Sequence, residues 1–116
     1  MVGGMPLVDC HMHTPLCGHA AGSPVEYVEA AATRGIDLIT FTCHAPMRNE
    51  AVFSGAGIRM GLDQLDEYFE VVGDARRRGR DLGVEVLTGI EAEYFPEEEE
   101  LEELWRMLGD WDFDYV

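Results

Sequence analysis

Three of the four histidines in this chain lie within nine residues of one another, at a spacing that could support metal chemistry. They are His11, His13 and His19, and an apolar run typical of a short buried strand, residues 7–10, precedes them. Residues two apart on a strand point to the same face, so His11 and His13 can present two imidazoles to one point. Neutral imidazole is the commonest protein ligand for transition metals. The pattern therefore predicts a metal site, with His19 contributed by the following loop, rather than three unrelated polar side chains at a strand end.

The composition limits the class of protein. With 116 residues, of which 47% are hydrophobic, the chain has material for one domain with an apolar core, which argues against disorder. Its net charge of −15 would repel nucleic-acid phosphates and anionic membranes, so neither is an expected partner. The three cysteines show no disulfide framework, and neither a signal peptide nor an apolar run of membrane-spanning length is visible. We therefore expect free thiols and a cytoplasmic location.

Strand and helix signals alternate along the chain. Ser23, Pro24 and Glu26 form a capping box that starts the first predicted helix, and Gly35 provides its stop. The predicted strands are 7–10, 36–43, 84–90 and 113–116, and the predicted helices are 24–34, 62–78 and 101–108. This β-α-β-α-β-α-β order predicts an α/β fold whose parallel sheet has right-handed crossovers.

The ionisable residues that could do chemistry follow the predicted strands. His11 and His13 end the first strand, His44 follows the second, and Glu91 follows the third. Active sites of α/β barrels are built at this end of the strands, so these residues are expected to meet at one rim. The pattern is compatible with a barrel or with an open doubly wound sheet. No G-x-G-x-x-G segment follows the first strand, which argues against a dinucleotide site.

Four segments together resemble the PHP (polymerase and histidinol phosphatase) family, most closely its monofunctional histidinol-phosphatase branch. They are DCHMHTPLCGHA at 9–20, FTCHAPM at 41–47, GIEAE at 89–93 and FDYV at 113–116. The resemblance implies a distorted (β/α)7 barrel that carries a trinuclear cluster of zinc, iron or manganese. At roughly 30 residues per β/α unit, the chain would supply the first half of that barrel.

The resemblance also implies a role for each candidate ligand. His11 and His13 would bind one metal ion, and Glu91 would bridge that ion to a second. His19 and His44 would hold the third ion. Among these residues, Glu91 and His44 are the ones expected to act most directly in catalysis. Clustered divalent ions can generate hydroxide at neutral pH and neutralise phosphoryl charge, so a phosphatase of this kind needs no protein nucleophile.

Other residues near the motifs have less defined roles. The resemblance places Asp9 behind the ligands, where it would orient the histidine pair. Cys43 stands where many family members have an aspartate, and we interpret it as a buried thiol at a strand end, with a soft extra metal ligand as the alternative. The same alternatives apply to Cys17. Glu93 shares a strand face with Glu91, and we expect it to be solvated or salt-bridged rather than a ligand.

The resemblance implies hydrolysis of a small phosphorylated metabolite, L-histidinol phosphate, to L-histidinol and phosphate. Arg48 and Arg59, in the long loop after the second strand, are the candidate phosphate contacts. An amidohydrolase-like hydrolase also begins with His-x-His but lacks His19 and His44, so it is the second hypothesis. The third is an inactive truncated domain, because residues 1–116 are expected to be the N-terminal portion of a single PHP domain whose remaining ligands lie further on.

Overall fold

The computed structural model describes residues 4–18, 20–47, 59–94 and 96–116. Strands and helices alternate, as the sequence predicts. They are β1 (Val8–Met12), α1 (Pro24–Thr33), β2 (Leu38–Phe41), α2 (Leu65–Leu82), β3 (Glu85–Thr88) and α3 (Glu98–Asp110). Single 3₁₀ turns, Pro15–Cys17 and Leu62–Gln64, follow β1 and precede α2.

The three strands form one parallel sheet in the order β1-β2-β3. Val8 pairs with Leu38, and Ile39 pairs with Val86, which fixes the register. The predicted fourth strand, 113–116, appears as an isolated parallel bridge between Tyr115 and Gly89 beside β3. The structure therefore confirms a parallel α/β sheet, while the half-barrel stays a prediction.

The helix boundaries follow from local chemistry. The Ser23 hydroxyl accepts a hydrogen bond from the Glu26 amide, and the Glu26 carboxylate accepts one from the Ser23 amide, which confirms the predicted capping box. The second helix does not end at the arginine triplet, where we predicted it, but continues to Leu82. Its stop is Gly83, whose φ of 75° is the left-handed conformation that glycine adopts readily. None of the helices in the described ranges is both long and apolar enough to span a membrane.

The core lies between the sheet and the helices. It includes Val28 of α1, Ile39 and Phe41 of β2, and Tyr68 and Val72 of α2, all fully buried. Helices α1 and α2 contact each other, and α2 also packs on β3. This packing fixes the strands relative to one another, so the ends of all three strands are held on a common rim.

Candidate metal centre

The backbone beyond β2 and β3 places two of the predicted ligands side by side. His44 and Glu91 form an isolated parallel bridge just past the ends of these strands. The Glu91 amide donates to the Cys43 carbonyl at 2.8 Å, and the Ala45 amide donates to the Glu91 carbonyl at 3.0 Å. The histidine and the carboxylate are thus set next to each other by sheet-like hydrogen bonds rather than by a loose loop.

The side chains of three predicted ligands converge on one carboxylate oxygen of the fourth, Glu91. Glu91 Oε2 lies 3.5 Å from His11 Nε2, 3.5 Å from His13 Nε2 and 3.3 Å from His44 Nδ1. The two Nε2 atoms of His11 and His13 are 3.1 Å apart. The structure therefore brings together the residues that the sequence placed at one rim, although their role as ligands stays a prediction. The fifth predicted ligand, His19, lies outside the described residues.

These donor atoms fit a divalent metal ion. Glu91 Oε2 is buried and has no hydrogen-bond partner among the described residues, and a cation would compensate its charge. With metal–nitrogen bonds of about 2.0–2.1 Å, two ligand atoms on a tetrahedral zinc ion lie about 3.3 Å apart. The observed separations of 3.1–3.5 Å are close to this value. Imidazole and carboxylate together suit zinc, iron or manganese.

Asp9 acts on the main chain next to the centre. Its Oδ1 accepts a hydrogen bond of 3.0 Å from the backbone amide of His11. The pairing of β1 with β2 shifts register between Asp9 and Met12, so this bond lies in an irregular stretch of the strand. Such irregularities re-aim side chains near functional sites. Asp9 therefore contacts the backbone rather than an imidazole, and the orienting role predicted for it would work through that backbone.

The His44 nitrogen that faces Glu91 also faces Glu93, which forms an ion pair with Arg59, a partner not predicted from the sequence. Glu93 Oε1 is 3.2 Å from His44 Nδ1 and 3.0 Å from Arg59 Nη2. Arg59 also donates to the Ala45 carbonyl at 2.9 Å, and its residue is only 7% exposed. Glu93 is thus salt-bridged, as expected. A buried arginine needs a carboxylate partner, but the sequence does not show that Arg59 is buried, so this pair could not be predicted from it.

Of the two arginines predicted to contact phosphate, the structure describes only Arg59. Arg48 lies outside the described residues. Arg59 is described, and its guanidinium is held by Glu93 and the Ala45 carbonyl. A substrate contact by Arg59 stays a prediction, and it would require the guanidinium to share or exchange those partners.

On its inner side, His13 contacts a thiol. The Cys17 Sγ lies 3.3 Å from His13 Nδ1 and donates its own proton to the Thr14 carbonyl at 3.4 Å. His13 Nδ1 is then the donor to the sulfur, which leaves the Nε2 lone pair facing Glu91. This contact favours the tautomer in which His13 Nε2 can bind a metal ion at the centre, a role that was not predicted for Cys17 from the sequence.

Cys43 is buried, as predicted, and its sulfur faces Thr14. The Thr14 amide donates to Cys43 Sγ at 3.1 Å, and the Thr14 hydroxyl oxygen lies 3.1 Å from the same sulfur. Burial raises the pKa of the Cys43 thiol to about 12, and the hydrogen bonds from Thr14 oppose that rise. In the absence of a cation the thiol is therefore neutral at physiological pH.

Tyr68 of α2 links the ends of the two strands that carry His44 and Glu91. Its hydroxyl lies 2.9 Å from the Phe41 carbonyl and 2.7 Å from the Gly89 carbonyl, and the side chain is fully buried. Burial raises the pKa of this phenol above its usual range, so it stays a hydrogen-bond donor. This role of Tyr68 could not be predicted from the sequence, where its spacing marks only a core-facing helix position.

An open cavity of about 340 Å³ adjoins the outer side of the centre. His11 and Glu91 line it, together with Cys10, Thr42 and Tyr115. This volume lies at the lower end of the range for small-molecule sites, about 300–1,000 Å³. The centre is thus closed on the His13 side by buried thiols and accessible on the His11 side.

Comparison with known proteins agrees with the resemblance inferred from the motifs. The PHP domain family matches residues 9–115. The "Probable histidinol-phosphatase" of Deinococcus radiodurans is 41% identical over 112 residues, which cover 95% of this chain and 40% of that protein. The "Histidinol-phosphatase" of Bacillus subtilis is 30% identical over 95 residues, covering 79% of this chain and 35% of that protein. This chain therefore spans about two-fifths of the length of the curated relatives it matches.

A solved structure shows the same fold. The crystal structure of the "putative histidinol phosphatase" from Listeria monocytogenes superposes with a TM-score of 0.74 at 22% identity. The superposition covers 94% of this chain and 43% of that one. Since the family match extends over residues 9–115, nearly the whole sequence, this chain belongs to the PHP domain family.

Proposed function

We propose that the protein is a metal-dependent phosphomonoester hydrolase that converts L-histidinol phosphate and water to L-histidinol and phosphate. The PHP family is metal-dependent, and the relatives of this chain are named as histidinol-phosphatases. The proposal concerns the whole protein, because this chain spans about two-fifths of those relatives. The observation that carries it is the convergence of three imidazole nitrogens, at 3.3–3.5 Å, on the unpartnered buried oxygen of Glu91.

His11, His13 and Glu91 would hold one ion of the cluster, and Glu91 would share it with a second. When bound, divalent ions lower the pKa of a coordinated water and neutralise charge on the phosphoryl oxygens. His13 is kept in the ligating tautomer by Cys17, and Glu93 faces Nδ1 of His44 on the side of Arg59. With His19, His44 would complete the set of ligands that this chain supplies.

Two of the three thiols are too deeply buried to act as the nucleophile. Cys17 and Cys43, which lie behind His13, are 1% and 0% exposed, so neither can reach a phosphorus atom in the outer cavity. Membership of the PHP family also favours the phosphatase over the amidohydrolase-like alternative. The cavity beside His11 would admit a small phosphorylated metabolite. The cytoplasm is the compartment we propose, since Cys10, Cys17 and Cys43 are all free thiols.

The proposal can be tested with Glu91→Gln in the metal-loaded protein, with Glu98→Gln as the matched control. Glu98 is an exposed residue in the first turn of α3 and is not among the predicted ligands. We expect Glu91→Gln to lower the bound metal per chain and to abolish nearly all phosphate release from histidinol phosphate, because the bridging charge is lost. Glu98→Gln should leave both quantities unchanged.

The measurements are elemental analysis of the purified proteins and phosphate release over time. Unchanged metal content in Glu91→Gln would contradict the bridging role. A metal-loaded wild-type protein that hydrolyses amides or lactones but no phosphomonoester would overturn the proposed reaction. If metal is bound normally and no substrate of any of these classes is turned over, the inactive-domain hypothesis is the correct one.

A further inference from the structure

A second group of metal-binding atoms lies on the inner side of His13. Cys17 Sγ, Cys43 Sγ and a ring nitrogen of His13 all lie within 4.8 Å of one another, and the nitrogen that faces Cys17 is Nδ1, 3.3 Å from its sulfur. They share only the His13 ring with the centre described above, and they use its other nitrogen. Both sulfur atoms belong to residues that are essentially fully buried. This thiol cluster, Cys17, Cys43 and His13 Nδ1, is therefore a separate place in the fold, shielded from the outer cavity.

Burial disfavours a charged sulfur at Cys43, but its contacts with Thr14 favour one. The Thr14 amide points its proton at Cys43 Sγ from 3.1 Å. The Thr14 hydroxyl oxygen accepts a hydrogen bond of 3.2 Å from the Leu16 amide, so its own O–H can be directed to the same sulfur, 3.1 Å away. Two donors of this kind stabilise a thiolate, which is the form of cysteine that binds metal ions. This is an observation independent of the spacing of the three donor atoms.

The spacing itself is close to that of a metal site. With zinc–sulfur bonds of about 2.3 Å and zinc–nitrogen bonds of about 2.0–2.1 Å, tetrahedral ligands lie about 3.6 Å apart for nitrogen and sulfur and about 3.8 Å apart for two sulfurs. The observed His13 Nδ1 to Cys17 Sγ separation is 3.3 Å, and the remaining pairs are within 4.8 Å. Only small side-chain movements are needed. Two thiolates and an imidazole select soft or borderline cations over magnesium or calcium.

We propose that Cys17, Cys43 and His13 Nδ1 form a binding site for a thiophilic cation, such as Cd²⁺, Cu⁺ or Zn²⁺, behind the outer metal centre. Binding releases the two thiol protons to solvent, and the His13 proton moves from Nδ1 to Nε2, so the cation gains two sulfur ligands and one nitrogen ligand. His13 would then point an N–H, rather than a lone pair, at Glu91. Occupation of the inner site and use of His13 by the outer centre would therefore oppose each other, a consequence that rests on the proposed function.

The experiment is titration of the reduced, metal-free protein with Cd²⁺ while recording the ultraviolet absorption of cadmium–thiolate bonds. This absorption reports sulfur ligation directly, and it does not depend on enzyme activity. We expect one cadmium ion per chain to produce the signal of two thiolates. Cys10→Ser is the matched control, because Cys10 lines the outer cavity and is not in the thiol cluster; its titration should match the wild type.

Cys17→Ser and Cys43→Ser should each lose at least half of the absorption and weaken cadmium binding by tenfold or more. Glu91→Gln should retain the full signal, which separates the inner site from the outer centre and from the hydrolase proposal. An absorption that survives in Cys17→Ser and Cys43→Ser, or one that disappears in Cys10→Ser, would overturn the proposal.

A second measurement does not depend on the folding of the cysteine variants. A trivalent arsenical binds tightly only where two thiols are close enough to bond to one arsenic atom. Treatment of the wild type and of Cys10→Ser should protect two thiols per chain from a thiol reagent added after unfolding. Protection of no thiol pair in the folded wild-type protein would contradict the proximity on which the site depends.

Discussion

Removal of the Tyr68 hydroxyl should destabilise the protein by an amount that the structure allows us to estimate. The hydroxyl lies between the Phe41 carbonyl, 2.9 Å away, and the Gly89 carbonyl, 2.7 Å away, at the ends of the two strands that position His44 and Glu91. Tyr68→Phe keeps the ring and its packing in the core. It therefore changes hydrogen bonding with little change in volume, which makes the result interpretable.

The expected loss of unfolding free energy depends on whether each of the two carbonyls keeps a hydrogen-bond donor in the variant. The Phe41 carbonyl also accepts the Gly89 amide at 2.8 Å, so it keeps a partner in the variant. The Gly89 carbonyl loses the shorter of the two bonds to Tyr68 in a site that water does not reach. Leaving one buried acceptor unpaired costs about 1–3 kcal/mol. The contact from the Cys43 amide to the hydroxyl oxygen is 3.5 Å and adds little to this value.

The assay is urea denaturation of the metal-free protein, followed by circular dichroism, with Tyr27→Phe as the control. The Tyr27 hydroxyl donates to the Ala21 carbonyl at 2.9 Å on the surface, where water can replace it, so this control should cost less than about 1 kcal/mol. When the two variants are separately loaded with metal, each should bind as much as the wild type, since neither tyrosine is a predicted ligand. A Tyr68→Phe protein that unfolds within about 0.5 kcal/mol of the wild type would refute the argument that this hydroxyl satisfies a buried carbonyl.

Three further predictions concern backbone fit, helix capping and alkaline pH. A Cβ at Gly79 would lie 2.2 Å from the Val84 carbonyl oxygen, so Gly79→Ala should cost about 2 kcal/mol or more despite its better helix propensity. Gly73→Ala, whose Cβ would meet nothing nearer than 3.8 Å, should instead stabilise by up to about 1 kcal/mol, and equal effects in urea titrations would contradict this contrast. Ser23→Ala should lower the unfolding free energy by about 0.5–2 kcal/mol through loss of the capping box, and an unchanged midpoint would argue against it. Because burial raises the folded pKa of the Cys43 thiol from 9.0 to about 12, the unfolded chain releases this proton first as pH rises. The Cys43 thiol should therefore lower stability between about pH 9 and pH 12 by up to about 1.4 kcal/mol per pH unit, and Cys43→Ser should remove this part of the fall in unfolding measurements.

Features encoded by short-range patterns could be predicted from the sequence. The spacing of His11 and His13, the capping box at Ser23 and the alternation of strand and helix signals each depend on residues a few positions apart. Alternation of strands and helices also predicts that strand ends share one rim, which is why His44 and Glu91 could be placed beside the histidine pair. The end of α2 was predicted wrongly because the arginine triplet is a weaker stop than the left-handed glycine at 83.

Only the tertiary structure decided which distant residues contact one another around the predicted ligands. His44 meets Glu93 across 49 residues of sequence, Thr14 meets Cys43 across 29, and Tyr68 reaches carbonyls on two strands. No local periodicity encodes such pairs, because they depend on the register of the parallel strands and on the packing of α2 against them. A sequence pattern states which face a side chain occupies, whereas a hydrogen bond requires two atoms within about 3 Å. That precision is set only when the sheet and the helices pack together.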